Sequence, residues 1–138
     1  MRSLRTPEFG PDRFAQQGIR YGNTRAFFMD DHAYMEGGGF WTRGQSATMV
    51  VVDTAADQAA PTMFLQSGPI ATSVHLRVGT WTIDVTLNAQ ERKSVALPAT
   101  DQQQWLIEIK TGTAFRPSDF VKGNGDTRPL GVWIQVKN

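Results

Sequence analysis

A chain of 138 residues with 40% hydrophobic and 20% charged side chains has material for one domain with one core. Its 14 basic and 13 acidic residues leave a net charge of +1, which gives no electrostatic footprint for nucleic acid or an anionic membrane surface. Cysteine is absent, which excludes disulfides, thiol catalysis and zinc–thiolate centres, and no apolar run approaches the roughly 20 residues of a spanning helix.

Residues 1–20 form a polar segment. Met1 to Gly10 (MRSLRTPEFG) is aperiodic, compatible with a partly vector-derived leader, and has no apolar signal-like stretch. Such an N-terminus fits either a mature fragment or a cytoplasmic protein. The predicted domain is 21–138.

Within it, capped segments of helical period are nearly absent and period-two segments follow one another. Arg25 to Met29 is the first predicted strand. Asp30 to Gly39 (DDHAYMEGGG) reads as a long loop leading into Phe40-Trp41. Ala47 to Val52 is dense in β-branched residues, and Met63 to Gln66 is a short strand ending at Ser67-Gly-Pro69. Thr72 to Val78 sets Val74, Leu76 and Val78 against Ser73, His75 and Arg77; Gly79-Thr80 is then a tight turn. Trp81 to Leu87 sets Trp81, Ile83, Val85 and Leu87 against Thr82, Asp84 and Thr86. Asn88 to Glu91 is a turn, Lys93 to Leu97 a strand, and Trp105 to Ile109 a strand with Trp105, Ile107 and Ile109 inward. A second long loop, Thr111 to Pro129, precedes Leu130 to Val136. There Val132, Ile134 and Val136 share one face, while Trp133 and Gln135 take the other.

About eight short strands at regular spacing fit a sandwich, jelly roll or barrel, and the two tight hairpins favour antiparallel pairing. The predicted fold is all-β, a single antiparallel β-sandwich. Loops of this length in a compact domain are usually functional or disordered, and their aromatic residues argue for order.

Catalytic signatures are missing. Asp30-Asp31-His32, with Glu36 nearby, offers a general base or a metal site in principle. The plainer reading is a loop whose Asp side chains cap turns, because no His-x-His, His-x-x-x-His or Asp-x-Asp-x-Asp spacing occurs. A structural calcium ion on Asp30 or Asp31 is the one metal these residues suggest; no other cofactor is expected. No Gly-x-Ser-x-Gly elbow and no phosphate-cradling loop is present. The expectation is a non-enzyme.

The aromatics carry more. Trp81 and Trp105 share parity with aliphatic residues and belong to the core. Trp133 does not, and Trp41 shares its face with Arg43, where indole and guanidinium can stack or jointly hold a sugar. The alternative is a packed pair sealing the end of the sandwich. Asp126 and Arg128 lie two apart, so they either ion-pair to clasp the long loop or present a donor and an acceptor. Two surfaces result: His75, Arg77, Trp133 and Gln135 on a sheet face, or Trp41, Arg43, Asp126 and Arg128 at the loops. The plainer reading of His75, beside Arg77, is a surface residue on a solvated sheet face.

Glu36-Gly-Gly-Gly-Phe-Trp-Thr-Arg43, together with Phe115-x-Pro117 and Asp126-x-Arg128-x-Leu130-Gly-Val132, resembles the bacterial carbohydrate-binding-module-like β-sandwiches appended to membrane glycosyltransferases and other cell-envelope proteins. The resemblance spans roughly Tyr21 to Val136. It implies a jelly-roll-like sandwich, an extracytoplasmic setting, a larger attached or associated protein, and a glycan ligand or a bracing role at Glu36, Trp41, Arg43, Asp126 and Arg128. The segment Val121 to Gly125 departs from the pattern. The expected function is non-catalytic carbohydrate binding; the alternative is a structural or protein-interaction sandwich without a sugar.

Overall fold

The computed structural model describes residues 18–55 and 58–137. Among these, eleven strands form two antiparallel sheets. The first sheet holds β1 (Gly18–Tyr21), β2 (Thr24–Phe28), β5 (Ala47–Thr54), β10 (Gln104–Thr111), β7 (Thr72–Val78) and β8 (Trp81–Leu87), in that spatial order. The second holds β3 (Ala33–Glu36), β4 (Gly39–Arg43), β11 (Leu130–Lys137), β6 (Thr62–Ser67) and β9 (Arg92–Ala96).

The two sheets pack into a sandwich because period-two alternation gives each strand one apolar face. Strand β10 buries Trp105, Ile107 and Ile109, and β11 buries Val132, Ile134 and Val136. Val50 and Val52 of β5, Met63 and Leu65 of β6, and Val74 and Leu76 of β7 complete the middle of the core. Each such side chain contributes about 1.5–3 kcal/mol on burial. Trp105 is fully enclosed and its indole nitrogen donates to the Pro98 carbonyl, so its polar atom is satisfied.

Pairing is nested: β4 with β11, β5 with β10, β6 with β9 and β7 with β8. A long hairpin of four such pairs, rolled so that alternate pairs fall in opposite sheets, is a jelly roll. The remaining strands, β1, β2 and β3, extend its edges.

Four differences from the sequence expectation stand out. There are eleven strands where about eight are predicted. Strand β1 straddles the boundary placed at residue 21, while residues 1–17 lie outside those described. The expected loop Asp30 to Gly39 is a bend followed by the β3–β4 hairpin, closed by Gly37 and Gly38 at φ of 62° and 84°. Two consecutive positive-φ residues are what a tight hairpin turn needs, and glycine adopts them without strain. Ile83, expected inside, lies on edge strand β8 and is 36% exposed.

Strand β11 is bulged between Leu130 and Trp133 where it pairs with β4. A Cβ on Gly131 would stand 2.5 Å from Thr111 Oγ1 and 2.8 Å from Thr42 Oγ1, so only glycine fits. The Val132 amide donates to Thr42 Oγ1 at 3.1 Å, which satisfies it inside the sandwich. Beyond the bulge, Trp133 comes into register with Trp41.

Candidate functional site

On the outward face of the five-stranded sheet, Tyr34 pairs with Trp41, Trp41 with Trp133, Trp133 with Gln66 and Gln66 with Arg92. These residues form one transverse row over all five strands. At about 4.8 Å per strand the row is about 19 Å long. It begins with three aromatic rings and ends with an amide and a guanidinium.

Trp133 lies along the sheet. A Cβ on Gly39 would meet its ring carbons at 2.6–2.7 Å and the Ile134 carbonyl at 2.6 Å, so the indole covers the bare glycine backbone. Its Nε1 donates to the Glu36 carbonyl at 3.3 Å, holding the ring toward the β3–β4 turn. Trp41 meets Phe115 edge-on, with centroids 5.4 Å apart, and Phe115 meets Phe120 edge-on at 6.2 Å. Phe115 is anchored from beneath: its ring fills the space above Gly68, and its backbone bonds both ways with Leu130.

These residues enclose an open groove of about 490 Å³. Its walls include Trp41, Trp133 and Gln66 of the row, Glu36 at one end and Gln90 near the other, with Asn124 and Asp126 across it. The polar side chains lining this space are the amides of Gln66, Gln90 and Asn124, the carboxylates of Glu36 and Asp126, and the Ser67 hydroxyl.

The loop after β10 is ordered by its own bonds. Ser118 N donates to the Asp126 carbonyl, Arg116 Nε to the Thr127 carbonyl and Asp126 N to Asn124 Oδ1. A 3-10 turn at Pro117–Asp119 starts it, and Phe120 and Val121 stand exposed at its tip. Asp126 accepts from Arg128 three times: from the backbone N at 3.0 Å, Nε at 2.9 Å and a terminal nitrogen at 2.6 Å. The Arg128 hydrogen bonds hold the Asp126 carboxyl down to about 2. Arg128 in turn has its own ionisation pushed up, chiefly by its hydrogen bond to Asp126. Its guanidinium also sits 5.0 Å over the Tyr34 ring and 3.6 Å from a Glu36 oxygen.

The predicted residues are therefore redistributed. Trp41, Trp133 and Asp126, expected on two alternative surfaces, line one groove, and Gln135 lies next to Trp133's row on the same face. Arg128 reaches the site as the clasp of Asp126. At the loop end of the row the stacked cation is Arg128 on Tyr34, in place of the expected Arg43 on Trp41. Arg43 projects from the same face one step along β4, outside the groove lining. His75 and Arg77 sit on β7, in the other sheet, and point to the far side of the molecule. There His75 Nδ1 lies 2.6 Å from Asp84, and Arg77 bonds Glu108, whose carboxyl that bond holds low. They do not join Trp133.

Asp30 is spent structurally: one oxygen accepts from the His32 amide at 2.9 Å, the other from the Met49 amide at 3.0 Å. His32 Nδ1 faces the Ala47 carbonyl at 2.8 Å, and the Asp31 side chain is 92% exposed. Among the described residues no group of three or more His, Asp or Glu side chains is arranged to hold a metal ion. Likewise, no helix there is long and apolar enough to cross a membrane.

Tyr34, Gln66, Gln90, Arg92 and Asn124 are missing from the sequence expectation. For Gln66 a signal existed: Met63 and Leu65 alternate with Phe64 and Gln66, which places both off the core. No family model, no curated protein and no solved structure matches this chain.

Proposed function

We propose that the protein is a non-catalytic carbohydrate-binding domain whose ligand lies along the Tyr34–Trp41–Trp133–Gln66–Arg92 row, in the groove beside it. The observation that carries this reading is the row itself. Sugar rings present apolar C–H faces that pack on indoles, with hydroxyls around the rim for amides and carboxylates. The groove supplies both: Trp41 and Trp133 along one side, and Glu36, Gln66, Gln90 and Asn124 at its edges. Acid–base hydrolysis fits less well. Asp126, the carboxylate across the groove, is tied by three Arg128 donors and held ionised down to about 2, so it has no proton to give at ordinary pH. With the motif resemblance, the reading extends to a module of a larger envelope or secreted protein.

Affinity electrophoresis through gels containing neutral and acidic polysaccharides tests it. Retardation by at least one polymer, abolished in Trp133→Ala at unchanged circular dichroism, is expected. No retardation by any polymer would remove the proposal.

A protein-interaction role is favoured by one separate observation. On the outer face of the six-stranded sheet Phe27, Val51 and Leu106 are successive cross-strand neighbours, and Leu106 is 52% exposed. Solution mass measured over a concentration series would reveal self-association through that face.

A further inference from the structure

We propose that the glycan bound by this domain is acidic, and that Arg92 and Lys137 hold its anionic groups beyond the Gln66 end of the aromatic row. This inference rests on the carbohydrate-binding reading and specifies its ligand.

Two cations converge on one ring. The Arg92 guanidinium carbon lies 5.1 Å from the centroid of Phe64, and Lys137 Nζ lies 5.4 Å from the same centroid. The register explains it: Arg92 pairs with Gln66 and Lys137 with Thr62, so the two bracket Phe64 along β6. Both cations lie at the same ring, so an anion seated there is attracted by each of them. Among the described residues the ion pairs are Arg25–Asp53, His32–Asp31, His75–Asp84, Arg77–Glu108 and those of Arg128 with Glu36 and Asp126. None involves Arg92 or Lys137. Arg92 donates to the Gln135 amide oxygen at 3.3 Å, which orients the guanidinium without neutralising it.

The nearby charges point elsewhere. Glu91 uses Oε1 to accept the Asn88 amide at 2.8 Å, and Lys93 donates to the Thr86 carbonyl at 2.7 Å. Both turn toward β8 and the turn after it. The groove's own carboxylates, Glu36 and Asp126, stand at the opposite end of the row with Arg128 beside them. The face is thus polar along its length, with a compensated acidic end and an uncompensated basic end. From Trp133 to Arg92 is two strand steps, about 10 Å, which leaves room for a sugar on the indole and a charged substituent at the cations. A guanidinium and an ammonium at that distance recognise carboxylate, sulfate or phosphate through charge-assisted hydrogen bonds.

The test measures binding of the full chain to polygalacturonate, dextran sulfate, neutral hydroxyethylcellulose and laminarin, and single-stranded DNA. It compares wild type, Arg92→Gln/Lys137→Gln and Trp133→Ala, each checked by circular dichroism. An acidic glycan bound more tightly than the neutral polymers, weakened about tenfold in the double glutamine variant and lost in Trp133→Ala, is expected. Preference between polygalacturonate and dextran sulfate then assigns carboxylate or sulfate. Neutral polymers bound equally well, with the double variant unaffected, would overturn the acidic assignment and leave the carbohydrate reading standing. DNA bound as tightly as the glycans, with Trp133→Ala unaffected, would reduce the effect to charge adsorption and overturn it. Absence of binding to every polymer would overturn both.

Discussion

The indole of Trp133 occupies the space above Gly39. A methyl group there would sit 2.6 Å from the ring and from the Ile134 carbonyl. The glycine is therefore what lets the tryptophan lie flat against the sheet.

Gly39→Ala should displace that ring. Because one of the blocking atoms is backbone, the strand must shift as well. An overpacking cost of about 1–3 kcal/mol is expected. Urea unfolding with a shifted midpoint and unchanged slope checks the cost, and a changed Trp emission in the native state checks the displacement.

Phe115 is the anchor of the long loop, lodged over Gly68 and edge-on to Trp41 and Phe120. Phe115→Ala should cost about 3 kcal/mol, the low end for a buried phenylalanine. It should also expose the loop around the Asp126–Arg128 clasp to proteolysis. Limited digestion mapped by mass spectrometry reads this directly: cleavage within residues 116–127 in the variant, and resistance in wild type.

Acid should loosen that loop in a defined window. Asp126 has a depressed ionisation, near 2 against an ordinary value of about 4. A depressed carboxyl contributes stability that is fully present above its unfolded value and lost as pH falls toward its folded value. The clasp should thus hold at pH 5 and weaken between about 4 and 2. Asp126→Asn should lose this portion of the acid dependence. Thermal midpoints of both proteins across pH 2–6 check the sign.

His75 and Arg77 lie on the opposite sheet from the aromatic row. The double variant His75→Ala/Arg77→Ala should bind glycan as wild type does. Its stability loss should stay near 1 kcal/mol, since the Arg77 side chain is half-exposed and solvent screens its pair with Glu108. Affinity electrophoresis and thermal unfolding of one preparation supply both readings.

Much of the fold was legible locally. In β7, β10 and β11 from Val132 onward, alternation separates buried from less buried residues, and the predicted faces match the burial. Strands β3 and β4 escaped because Asp30, Asp31 and three successive glycines have turn composition; the hairpin inside is held by register with the rest of its sheet. The site was legible only in fragments. Trp133's off-core parity belongs to one strand, but its alignment with Tyr34, Trp41, Gln66 and Arg92 depends on which strands pair and in what register. Pairing of Trp41 with Trp133 further depends on the bulge at Gly131, which no single-strand pattern reveals. The same limit explains why His75 and Arg77 looked like neighbours of Trp133: parity gives a face, but not which sheet the face belongs to.

The indole N–H signals of the four tryptophans give the most direct test of the row as a binding surface. In a 15N-edited titration with a glycan that retards the protein in gels, the Trp41 and Trp133 signals should shift together. The signals of Trp105, enclosed in the core, and Trp81, on β8 of the other sheet, should stay in place. Shifts confined to Trp81, or none at Trp41 and Trp133 at saturating glycan, would contradict the account.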